Sequence, residues 1–63
     1  MNMDTRDMIT KKLLDAQEMV RDFEMFSKNT DDQEVAKYFK EFAELSGEQA
    51  RQLQRLSDKY RRQ

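Results

Sequence analysis

The sequence predicts an all-α fold, a two-helix antiparallel hairpin that dimerises into a four-helix bundle, and three observations carry that expectation. The chain of 63 residues has no Pro, one Gly and 40% charged residues, and it is rich in Gln, Glu, Lys, Arg, Met and Leu, which favour helix. Apolar residues recur at helical spacing in both halves, and the one interval without them is dense in turn and cap formers. A chain of this size hides only about 60% of its unfolded surface when it folds alone. With no Cys and no His it lacks a disulfide and the ordinary zinc or haem ligands that rescue small domains. Association is the remaining source of stability.

The first helix is expected from about residue 4 to 28. Ile9, Leu13, Ala16, Val20 and Phe23 follow at steps of four, three, four and three, which keeps them on one face; Met19 and Phe26 widen the stripe. The interval "SKNTDDQE" forms a loop at about 29–31. There Thr30 with Gln33, or Asp31 with Glu34, can make a capping box, Asn29 can close the first helix in the left-handed conformation, and Lys28 suits that helix's negative end. The second helix is expected from about 31 to 61, with Val35, Phe39, Phe42, then positions 46 and 49, then Leu53, Leu56 and Tyr60 continuing the rhythm. A period near 3.5 in both halves suits left-handed bundle packing.

A short loop makes the helices antiparallel neighbours within a single domain, residues 1–63. Folding about residue 31 would set Phe23 opposite Phe39, Val20 opposite Phe42, Ala16 opposite Ser46, Leu13 opposite Gln49 and Ile9 opposite Leu53. The seam of core and dimer is therefore assigned to Ile9, Leu13, Val20, Phe23, Val35, Phe39, Phe42, Leu53 and Leu56. Met8, Met19, Phe26, Phe42 and Leu45 cannot all point at one neighbouring helix, and a second hairpin related by two-fold symmetry would cover them.

Formal charge is −1, which argues against a nucleic-acid partner. The basic end, Arg51, Arg55, Lys59, Arg61 and Arg62, opposes the acidic start Asp31, Asp32 and Glu34 and complements the helix dipole without needing a ligand. No apolar run approaches the roughly 20 residues of a membrane span, and the opening "MNMDTRDM" is polar where a signal peptide would be basic and then apolar. A cytoplasmic protein without a membrane contact is expected.

One stretch interrupts the second seam. Within "AELSGEQAR" Ser46, Gly47 and Gln49 stand where apolar residues are due. The longer run "TDDQEVAKYFKEFAELSGEQARQLQRL" resembles the second helix of rubrerythrin-type, ferritin-like proteins, in which a T-D-D/P-E-V turn leads into an aromatic-rich helix bearing A-x-x-E-x-x-H-A. Ala43 and Ala50 match the frame. The resemblance places the metal-binding Glu on Ser46 and the His on Gln49; on the first helix Phe23 and Thr30 match the spacing that puts a further Glu on Ala16. All three positions lack a ligand. Small bacterial helical-hairpin proteins, some linked to sporulation, look similar as well.

The resemblance implies a ferritin-like bundle whose metal layer has become a small, weakly polar belt, with no cofactor, and a non-catalytic structural or protein-interaction role. An explanation independent of ancestry is that Ser46 and Gly47 let the helices approach closely and Gln49 makes a rim or cross-dimer hydrogen bond. Other chemistry is poorly supplied. Ser27 and Ser46 have no base within a turn, and there is no Gly-rich phosphate loop. A carboxylate metal site built from Glu18, Glu24, Glu41, Glu44 and Glu48 is the alternative. Glu41, Glu44 and Glu48 share a face, however, on which i,i+4 pairs with Lys37 and Lys40 are expected, Arg51 and Arg55 lying one turn beyond. The Met residues read as flexible core filling.

Overall fold

The structure is a computed structural model and describes residues 3–61. It has two helices, α1 (Thr5–Asn29) and α2 (Gln33–Arg61), and no strand among the described residues. They form a helical hairpin with principal extents of 46 × 24 × 12 Å, a slab one helix thick.

Each helix begins on an aspartate. Asp4 caps α1, its carboxylate accepting from the Asp7 amide at 2.8 Å, and Asp32 caps α2, accepting from the Val35 amide at 3.0 Å. An uncapped first turn would leave N–H groups unpaired, and Asp offers charge as well as an acceptor at the positive end. The second cap differs from both capping boxes expected from the sequence. Thr30 instead accepts from the Asp32 amide at 3.2 Å, which orders the turn and moves the start of α2 from residue 31 to Gln33. Asn29 also departs from expectation: no described residue has positive φ. It is the last residue of α1, and its side-chain amide donates to the Met25 carbonyl at 2.9 Å. The extended Thr30 then closes α1 by donating its amide to Phe26.

The interface between the helices is narrow. Ile9, Leu13, Ala16, Ala43 and Ser46 are buried, and no described side chain is buried completely. A compact monomer of this mass would expose about 4,300 Å², whereas the hairpin exposes 5394 Å². Most of the apolar stripe is left half covered.

The register is corrected by about one turn. Phe23 meets Phe42 (ring centroids 5.5 Å apart) as well as Phe39 (5.4 Å). Val20 faces Gly47, and the Arg6 guanidinium donates to the Tyr60 carbonyl at 3.2 Å. Partners thus lie further along α2 than a fold about residue 31 gives, because the turn uses residues 30–32 and α2 starts later. Gly47 does not owe its place to crowding. A Cβ built there would lie 4.0 Å from Val20 Cγ2, an ordinary contact.

Candidate interaction surface

One broad face of the slab carries most of the exposed apolar side chains, whereas Leu14 and Met25, 60% and 51% exposed, stand roughly 100–140° around α1 from Met8 and Met19. On α1, Met8, Met19 and Phe26 recur near helical repeats; on α2, Tyr38, Phe42, Leu45, Gln49, Gln52 and Leu56 alternate steps of four and three, so they form one row. Rings tie the two rows together at the turn end. Phe26 lies 6.4 Å from Phe39, Tyr38 lies 6.0 Å from Phe42, and Phe42 lies against Phe23. At mid-length the rows flank a groove of about 410 Å³ lined by Ala16, Met19, Gln49, Gln52, Leu53 and Leu56, with Lys12 and Asp15 on its border.

The side chains of this face are much exposed for their chemistry: Met8 52%, Met19 45%, Phe26 47%, Tyr38 49%, Leu45 62% and Leu56 45%. A few such residues scattered singly would be ordinary. Gathered on one face of a slab 12 Å thick, they are a core with one side missing. The opposite groove is lined by Glu24, Lys40, Glu44 and Arg51 beside Ala43 and Gly47, and water serves it well.

The assigned seam divides accordingly. Ile9 and Leu13 are buried; Val20, Phe23, Val35, Phe39 and Leu53 are half-buried. Phe42 and Leu56 are exposed in the single hairpin, because the broad stripe of α2 turns partly away from α1. Tyr38 belongs to the same face although the seam assignment passed over it. Its position four residues before Phe42 was the available signal.

Of the three positions matched to ferritin-like ligands, Ala16 and Ser46 are buried and Gln49 is exposed. Ala16 and Gln49 line the same groove, while Ser46 lies in the interhelical contact beside Gly47. Ala16 and Ser46 thus supply small side chains where the helices touch, and Gln49 presents its amide to the open face.

The acidic side chains remain dispersed. Among the described residues no three of His, Cys, Asp or Glu stand together as a metal would require. The expected pairs of Lys37 and Lys40 with Glu41 and Glu44 are not formed; ion pairs on exposed helices gain little against solvent. Glu48 instead binds Arg51, and Gln52 donates to its other oxygen at 3.3 Å. The hydrogen bond from Arg51 first, then that from Gln52 and the Arg51 charge, hold the Glu48 carboxyl below its ordinary value. On α1, Lys11 and Lys12 share Asp15 at 3.3 and 3.6 Å. At the basic end Arg61 lines a small groove with Arg6, Thr10 and Ser57, and Arg62 lies outside the described residues. No described helix is long and apolar enough to cross a membrane.

Compared with protein-family models, curated proteins and solved structures, the chain matches none.

Proposed function

We propose that this chain is a non-catalytic structural or protein-interaction module that works as a homodimer, two hairpins joined through their apolar faces into a four-helix bundle of ferritin-like descent. The contiguous exposed face of Met8, Met19, Phe26, Tyr38, Phe42, Leu45 and Leu56 carries the reading. Burying one such side chain fully is worth about 1.5–3 kcal/mol, and a lone hairpin, which leaves them 39–62% exposed, forgoes about half of that gain. Most of the exposed apolar side chains share that one face, Leu14 and Met25 apart, which favours a closed pair over an open stack. A Cys-free chain suits a reducing compartment, and the cytoplasm is the proposed location.

Sedimentation equilibrium tests the proposal together with thermal unfolding followed by circular dichroism. A dimer at micromolar concentration is expected, with a midpoint that rises as protein concentration rises, because association stabilises the folded subunit by mass action. A stable, folded monomer with a concentration-independent midpoint would remove it.

A further inference from the structure

The contacts between the helices fix which residues stand level. Arg6 reaches Tyr60, Phe23 meets Phe42 and Val20 faces Gly47, so Gln49 on α2 is level with Gln17 on α1. Gln17 is the middle residue of α1. The apolar face has a symmetry about that level. On α2, Phe42 and Leu56 are equally far from Gln49, as are Tyr38 and Tyr60, and Leu45 and Leu53. On α1, Met8 and Phe26 are equally far from Gln17, as are Lys12 and Asp22.

We propose that the occupant of the apolar face is a second copy lying antiparallel to the first, turn against chain ends, with the two-fold axis perpendicular to the helices at the level of Gln49 and Gln17. This rests on the self-association proposed above and adds its geometry. In it α2 packs on the partner's α2 and α1 on the partner's α1. Phe42 meets the partner subunit's Leu56, Met8 meets the partner subunit's Phe26, and the two Gln49 amides, each both donor and acceptor, face one another across the axis. The slab's broad face, 46 × 24 Å, has room for the roughly 800 Å² per partner of a stable interface.

Charge selects this orientation over its competitor. Glu41 and Arg55 stand seven residues either side of Glu48 on the outer edge of the α2 row, so the antiparallel pair sets each Glu41 near the partner subunit's Arg55 and each Lys12 near the partner subunit's Asp22. The two Glu48 carboxylates come closest at the axis, where Arg51 and Gln52 already hold each of them. A two-fold axis running along the helices would instead pack α1 on the partner's α2 at equal level. Lys12 would then lie beside Arg55, and Asp22 near Glu41, and like charges in register disfavour an interface.

Because the chain has no Cys, a single introduced thiol reports one contact. Gln49→Cys, at an exposed position, is expected to form an intermolecular disulfide at least about 10-fold faster in the folded dimer than in urea, since docking raises the effective thiol concentration. Under the competing axis the two α2 helices are diagonal and the thiols do not meet. A second measurement leaves the face intact: at low salt Glu41→Arg should weaken the dimer about threefold or more, and Glu41→Arg with Arg55→Glu should restore it. A monomer in sedimentation would overturn both the dimer and its geometry. A dimer whose Gln49→Cys variant does not cross-link, or whose double charge reversal is no tighter than the single one, would overturn the antiparallel arrangement alone.

Discussion

At the scale of single residues, two aromatic positions that look equivalent in sequence separate in space. Phe39 is half-buried between Phe23 and Phe26, whereas Phe42 shows 39% of its surface. Phe39→Ala removes contacts within the hairpin and is expected to cost about 3 kcal/mol, the lower end of the range for a buried Phe, read as a loss of unfolding free energy at any protein concentration. Phe42→Ala should act more on association, with a loss of about 1 kcal/mol per subunit in the dimerisation equilibrium, because only the 39% still exposed in the hairpin is left to bury. Equal effects of the two at high dilution would contradict that division. Gly47 makes the opposite point. Its Cβ-less backbone is not demanded by Val20 at 4.0 Å, so Gly47→Ala should stabilise the protein by up to about 1 kcal/mol through helix propensity and a less free unfolded chain. A lowered melting temperature in that variant would mean that the assembled protein brings another backbone close to residue 47.

At the scale of elements, the helices were legible because their signals are local and repeated. A stripe at steps of four and three needs no tertiary information, and the composition leaves helix unopposed. The turn was less legible, since Thr30, Asp31 and Asp32 are all competent caps and sequence spacing does not rank them. What decides is that Thr30 is extended and its hydroxyl accepts from Asp32, which leaves Asp32 placed to receive the Val35 amide. Asp32→Ala should therefore cost about 1 kcal/mol, as a lost N-cap does. Asp31→Ala should be near neutral by the same measurement, chemical denaturation monitored by circular dichroism. A reversal of the two would place the cap where the Asp31 and Glu34 box predicts it. The one-turn shift in register was hidden for a related reason: it depends on where the turn releases the chain.

At the scale of the whole molecule, the unusual quantity is thickness. A slab 12 Å deep with five buried residues among those described has a surface and half a core, so the proposed bundle is the unit in which its sequence makes physical sense. The interruption at Ser46 and Gln49 belongs to this scale too, since positions that look like defects in one helix would become a belt in the proposed four-helix bundle. Its resemblance to a vacated metal layer can be tested by refilling it. Ala16→Glu, Ser46→Glu and Gln49→His together would give the dimer four carboxylates and two imidazoles, the ligand set of ferritin-like di-metal proteins. The metal-free triple variant should be less stable than the parent, because ionisable groups would be taken from water and like charges crowded together. Fe²⁺, Mn²⁺ or Zn²⁺ should then raise its melting temperature, with a gain of about 2.7 kcal/mol at a hundredfold excess over Kd. Each single variant should lack that rescue, having too few donors. The parent chain, whose acidic side chains do not converge among the described residues, should show no saturable gain. A triple variant that folds, dimerises and gains nothing from any of the three metals would mean that Ala16, Ser46 and Gln49 do not meet around a common centre. The belt would then be a packing device that sets helix spacing, without a metal-binding ancestor.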